Sequence, residues 1–197
     1  ACSSHHTFNR FLVASLAVLV LFAQKAKAQS EDEMKKWTDY MTPGKMHKLM
    51  NGWDGSWTGS ITMWMAPGAP PSQSKGTLLN KTIMDCRYQK GTHTGDFNGM
   101  PFEGISILAY DNAKKIFEST WIDNMGTGIM HLKGDWNDKK QVLTLSGTMT
   151  DPMTGQDTKV KETFTILDDN THTMEMFMVG PDGKEFRTME IVYKRNN

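Results

Sequence analysis

From Trp57 onward the chain alternates apolar and polar positions with a period of two, interrupted by turn residues at spacings of about 8–14 residues, which is the signature of consecutive strands. The pattern predicts about nine strands: Ser56–Met65, Gly76–Gln89, Phe102–Asp111, Lys115–Asp123, Thr127–Trp136, Gln141–Thr150, Thr158–Leu167, Thr171–Val179 and Lys184–Arg195. Short connections carry the expected turn chemistry at Asp111-Asn112, Asn137-Asp138, Met153-Thr154-Gly155, Asp168-Asp169-Asn170 and Pro181-Asp182-Gly183. Two connections read as longer, a stiff loop Ala66-Pro67-Gly68-Ala69-Pro70-Pro71 and a Gly-rich crossing from Thr92 to Pro101. So long a meander would expose an edge at each end, and closing it removes both. The expected fold is therefore all-β: a single antiparallel up-and-down barrel of about 8–10 strands.

Ahead of the strands the period changes. Met34, Trp37 and Met41 fall on one face of a short helix that ends before Pro43. Thr42 then reads as an N-cap and Pro43 as the first helical position of a second short helix carrying Met46, Leu49 and Met50. This segment, residues 29–52, is expected to pack as a lid on the end of the barrel domain, residues 53–197.

The first 28 residues read as an export signal, with Arg10, an apolar run from Phe11 to Ala23 and a small-residue cleavage site at Ala26-Lys27-Ala28. The run is about 13 residues, short of the roughly 20 that a spanning helix needs. No cysteine follows it to carry a lipid. The expected location is periplasmic or secreted, without a membrane span in the mature form. The chain opens on Ala1 and not on methionine, which points to a start site that is missing or misassigned.

Removing the leader takes away Arg10, Lys25 and Lys27, so a chain balanced at 22 basic and 22 acidic residues becomes mildly acidic. A nucleic-acid partner would call for a basic face, and none is implied. One cysteine, Cys86, remains, which leaves no intramolecular disulfide and makes the core carry the stability.

Period two also assigns faces. Trp57, Gly59, Ile61 and Met63 share one side of the first strand, as do Phe117, Ser119, Trp121 and Asp123; Met130, Leu132, Gly134 and Trp136; and Met174, Met176 and Met178 on later strands. The 16 methionines favour an adaptable apolar interior, with pocket lining and Cu(I) ligation as alternatives to plain packing. His131 alternates with Lys133 and Asp135 and is expected on the surface, and His172 beside its turn likewise. A haem-binding barrel would instead recruit one of them to iron. Among the acids, Asp123, Glu175 and Glu190 stand in apolar surroundings, where Arg87 or Arg187 could neutralise them and a ligand head group could use them. No nucleophile–base pair or phosphate loop is present, so no catalytic residue is assigned, and no metal site.

Gly55-Ser56-Trp57 resembles the Gly-x-Trp opening of the lipocalin and wider calycin barrels. That resemblance implies that Trp57 closes one end under a basic residue of the last strand, here Arg195. The series Met100-Pro101-Phe102-Glu103-Gly104, Ala109-Tyr110-Asp111, Trp121-Ile122-Asp123-Asn124-Met125-Gly126, Gly147, Asp182-Gly183-Lys184-Glu185 and Met189-Glu190-Ile191 is similar to the uncharacterised bacterial domain-of-unknown-function family numbered fifteen-seventy-nine. It covers about Leu49 to Arg195 and implies a lipocalin-like fold without an activity or catalytic residues to carry over.

The function expected is that of an exported, non-enzymatic barrel holding a small apolar or amphipathic molecule. Trp57, Met63, Trp121, Asp123, Met130, Trp136, Met174, Met176 and Glu190 are the candidate interior ligand contacts, with Gly55, Trp57 and Arg195 closing the barrel. A haem- or metal-dependent redox or isomerase barrel and a structural barrel with a filled core are the alternatives. The cofactor and the oligomeric state stay unassigned.

Overall fold

The computed structural model describes residues 29–97, 99–180 and 182–196, so the expected leader lies outside the described residues. The chain forms two compact units that divide after Thr42. In the first, helix α1 spans residues 29–41. Its i, i+4 ion pairs, Lys36–Asp32 at 2.6 Å and Lys35–Asp39 at 2.5 Å, run along an exposed surface, and Trp37 meets Tyr40 edge-on at 6.1 Å. Among the described residues no helix is long and apolar enough to cross a membrane.

The second unit begins with helix α2, Lys45–Asn51. Its N-cap is Gly44 and not Thr42, because the imidazole Nδ1 of His47 accepts the Gly44 N–H at 3.0 Å and satisfies the donor that a Thr42 hydroxyl was expected to serve two residues earlier. The Thr42 hydroxyl instead donates back to the Thr38 carbonyl at 2.6 Å, inside α1.

Ten strands follow: β1 (Gly55–Met63), β2 (Ser72–Ile83), β3 (Tyr88–Phe97), β4 (Met100–Asp111), β5 (Ile116–Asp123), β6 (Met130–Asn137), β7 (Val142–Thr150), β8 (Asp157–Asp168), β9 (Thr171–Val179) and β10 (Glu185–Arg195). Each pairs antiparallel with its sequence neighbours, and β1 pairs with β10 to close the barrel. The alternating pattern thus reads correctly as an up-and-down barrel with a short helical segment ahead of it. Its count falls one strand short. The segment Gly76–Gln89 is not one strand but the end of β2 and the start of β3, separated by a turn in which Met84, Asp85 and Cys86 all take positive φ. Left-handed backbone normally signals glycine, and none is present there to mark the reversal. The Gly-rich crossing from Thr92 is likewise ordered strand as far as Phe97, and the chain reverses around Gly99, whose φ is +86°.

The register fixes which side chains point inward. Trp57 on β1 lies opposite Leu78 on β2 and Arg195 on β10, and Gly59 lies opposite Gly76 and Tyr193. From the end where α2 sits, the buried inward side chains run along the barrel as far as Leu132 on β6 and Val160 on β8. Met50, Trp53, Phe117, Leu132, Leu143, Leu145 and Val160 form one buried cluster, and Trp57, Leu78, Ile191 and Tyr193 a second. Each large apolar side chain buried this way contributes about 1.5–3 kcal/mol.

Polar contacts seat the α2 end. Gln89 Nε2 donates to the Met50 carbonyl at 2.6 Å and to Asp54 Oδ1 at 2.9 Å, while Asp54 Oδ2 accepts the Thr82 N–H at 2.8 Å. These bonds tie the last turn of α2 and the residues after it to β2 and β3, so the helix acts as a plug across one mouth of the barrel.

Candidate functional site

The plugged end is held by Trp57. Its indole is 1% exposed and donates from Nε1 to the Trp53 carbonyl at 3.2 Å. The Arg195 guanidinium covers its ring at 4.1 Å. Arg195 also donates to the carbonyls of Asp54 at 2.5 Å, Gly52 at 3.1 Å and Asp169 at 3.0 Å, tying the α2–β1 loop to the β8–β9 turn. Gly55 is required at its position: φ is +135°, and a Cβ there would sit 2.6 Å from Arg195 Nη1.

His172 belongs to this same end, which corrects its expected surface placement. It is buried, 4.2 Å from the Trp57 ring and 5.3 Å from Phe164, because it shares inward parity with Met174, Met176 and Met178. Burial, reinforced by the Arg195 charge, lowers its pKa to about 4, so the ring is neutral at pH 7. His131 is exposed on the outer face of β6, so its side chain does not reach the interior and the haem reading built on it lacks the necessary geometry. Among the described residues no group of three or more His, Cys, Asp or Glu converges to hold a metal ion.

Toward the opposite mouth the packing is uneven, with Leu132 and Val160 buried. Ile61, Met63, His93, Ser106, Ser119, Trp121, Glu162 and Met176 take inward register positions yet stay partly exposed. A barrel plugged at one end and lined at the other by incompletely packed side chains can enclose a small molecule.

Trp121 forms part of that wall. Its Nε1 donates to Asp123 Oδ2 at 2.6 Å, His93 meets it edge-on at 4.8 Å, and Phe102 stacks at 6.3 Å. The indole passes so close to Gly104 that a Cβ there would lie 2.5 Å from Trp121 Cη2. The Phe102–Gly104 and Trp121–Asp123 blocks therefore belong to one arrangement across the β4–β5 pair. Asp123 Oδ1 accepts the N–H groups of Met125 and Gly126 at 2.9 and 3.1 Å, so the carboxylate is committed to the indole and its own turn.

Of the other candidates, Met130 and Met176 pack against the first buried cluster and Met174 against the second, all pointing inward, and Met63 lies nearer the unplugged mouth. Trp136 instead joins the plug, 5.8 Å from Trp53. Glu190 is corrected outright, since it lies on the outer face. There Arg187 Nη1 bridges it at 2.5 Å to Glu175 at 2.6 Å and stacks on Trp64 at 4.6 Å. An irregularity between Arg187 and Met189 shifts the phase of β10, leaving Met189 and Ile191 inward and Glu190 between them outward.

Three further polar residues face the interior. His93 faces inward from the middle of β3 near Ser106 Oγ at 3.3 Å, and burial lowers its pKa to about 4. Glu162 points inward from β8 between Leu145 and Met176, and burial raises its pKa to about 7. Tyr193 points inward from β10, and its hydroxyl pKa is pushed up first by burial and then by the Glu162 charge. Parity could have found Glu162 between Val160 and Phe164, and Tyr193 after Ile191. His93 stands between Gly91 and Gly95, which mask the alternation of its strand.

The fold recurs in solved structures of very different sequence. Rv2717c from M. tuberculosis superposes with a TM-score of 0.60 at 13% identity, over 79% of this chain and 100% of its own. The S-type phycobiliprotein lyase CPES from Guillardia theta gives 0.54 at 8%, over 81% and 96%. No curated protein matches the sequence. Residues 42–195 match the family described as "Protein of unknown function (DUF1579)", and the chain belongs to that family.

Proposed function

We propose that this protein is an exported, non-enzymatic barrel that takes a small apolar or amphipathic molecule through its unplugged mouth. The observation that carries this reading is the contrast between the solid packing around Trp53 and Trp57 and the partly exposed inward side chains from Ile61 and Met63 to Trp121 and Met176. Ile61, Met63, Met174 and Met176 would give the molecule a deformable apolar wall, and Trp121 an aromatic one. The rim fits the same reading. Met65, Met100, Met125, Ile129, Met153 and Val179 are all exposed at or near the loops of the unplugged mouth, an apolar collar through which such a molecule would pass. Export rests on the leader pattern in residues 1–28.

The neutral fluorophore N-phenyl-1-naphthylamine tests the reading. Titration into the folded protein should give saturable emission enhancement at one probe per chain, displaced by long-chain alcohols. Emission that rises without saturation, or that alcohols do not displace, would mean the interior takes no ligand.

A further inference from the structure

We propose that Glu162 is the head-group anchor of this lumen and that the molecule it holds is an amphiphile with a cationic amine or ammonium group. The inference rests on the lumen being a ligand site and adds the chemical class of the ligand.

Three observations carry it. First, the Glu162 carboxylate has no hydrogen-bond or ion-pair partner among the described residues, while no sealed-off side-chain oxygen or nitrogen among them lacks a partner. Its oxygens therefore open onto the lumen and are not buried in the wall.

Second, nothing inside compensates its charge. Register places Leu145 and Met176 on either side of it. The other titratable groups that face inward in this region are Tyr193, whose hydroxyl is held in its neutral form, His93, which is neutral, and Asp123, which is committed to Trp121 and its turn. By the strand pairing, the lysines of β2, β3, β6, β8 and β10 point outward, as does Arg187, and Arg195 is spent covering Trp57 at the plugged end.

Third, the surrounding chemistry suits an organic cation. An isolated carboxylate in an apolar enclosure is costly unless paired, aromatic faces are favourable neighbours for an ammonium, and flexible methionines can adapt to the alkyl chain. An anionic head group would meet repulsion with no cation to relieve it.

The test compares three ten-carbon amphiphiles, each below its micelle concentration, at pH 8: decylamine, decanol and decanoate. Intrinsic tryptophan emission is the readout. Decylamine is expected to bind at least about tenfold more tightly than decanol, with decanoate weakest. Glu162→Gln should reduce decylamine to the decanol level while leaving decanol within about twofold, with unchanged circular dichroism. Decanol binding as tightly as decylamine, or decylamine binding unaltered by Glu162→Gln, would overturn the anchor role and leave the lumen intact. Binding of none of the three to folded wild type would remove the lumen reading and the anchor with it.

Discussion

The Arg195 guanidinium lies 4.1 Å over the Trp57 ring, and these two residues also sit opposite each other in the β1–β10 pairing that closes the barrel. One contact thus joins the first strand, the last strand, the α2–β1 loop and the β8–β9 turn. Closure of the sheet and plugging of one mouth depend on the same side chains.

Removing the indole should therefore be costly. Trp57→Ala is expected to lower stability by about 3–5 kcal/mol, as for deletion of a fully buried aromatic. Urea unfolding measures it, and a loss under about 1 kcal/mol would contradict the closing role.

Arg195→Lys keeps the charge but loses the planar fork that serves three carbonyls while stacking on the ring. A loss of about 1–3 kcal/mol is expected. A lysine variant as stable as the wild type would show that charge alone is sufficient.

Gly104→Ala introduces a Cβ 2.5 Å from Trp121 Cη2, against an indole also held by Asp123. The ring or the backbone beside it must shift. The variant should lose about 1–3 kcal/mol through overpacking, shift the tryptophan emission maximum and weaken binding of the neutral fluorophore. Unchanged emission and binding would mean that Trp121 is not a lumen wall.

Two pH effects should oppose one another. Glu162 has a folded pKa raised to about 7, above its ordinary value, so its contribution is fully present below the unfolded pKa and is lost as pH rises through about 7. His172 has a folded pKa depressed to about 4, so the stability linked to its neutral form is present above the unfolded value and is lost as pH falls toward 4. In the absence of ligand, the stability of Glu162→Gln relative to wild type should accordingly improve between pH 5 and pH 8 by about 1–3 kcal/mol. His172→Phe should flatten the acid limb of the stability curve. Parallel pH curves for wild type and the glutamine variant would contradict the inward, unpaired placement of Glu162.

The architecture was legible because period two and turn chemistry are local signals, and Trp57, Trp121 and the Met174–Met178 stripe all carried them. Departures from the pattern have specific causes. The β2–β3 turn is built from Met84, Asp85 and Cys86 in left-handed backbone, so no glycine or proline announced it. Losing that turn hid β3, and with it His93. On β10 the irregularity between Arg187 and Met189 interrupts simple alternation, and Glu190, flanked by apolar neighbours, was read as interior although it lies outside. His172 and Glu162 were readable by parity, but chain-order proximity to a turn outweighed it for the first, and the second stands in a strand of mixed polarity. The ion pair of Arg187 with Glu175 and Glu190 matches the expected neutralisation, on the outer surface and not in the core.

The most direct test of the lumen follows the methionine methyl groups by ¹³C-edited NMR during titration with decylamine. Resonances of Met174 and Met176, which point inward, should shift progressively and saturate at one ligand per chain, while those of Met84 in the β2–β3 turn at the plugged end, with its exposed side chain, should stay fixed. Shifts confined to the exposed collar at Met65, Met125 and Met153, with Met174 and Met176 unmoved, would show that the molecule binds outside the barrel and would contradict the account.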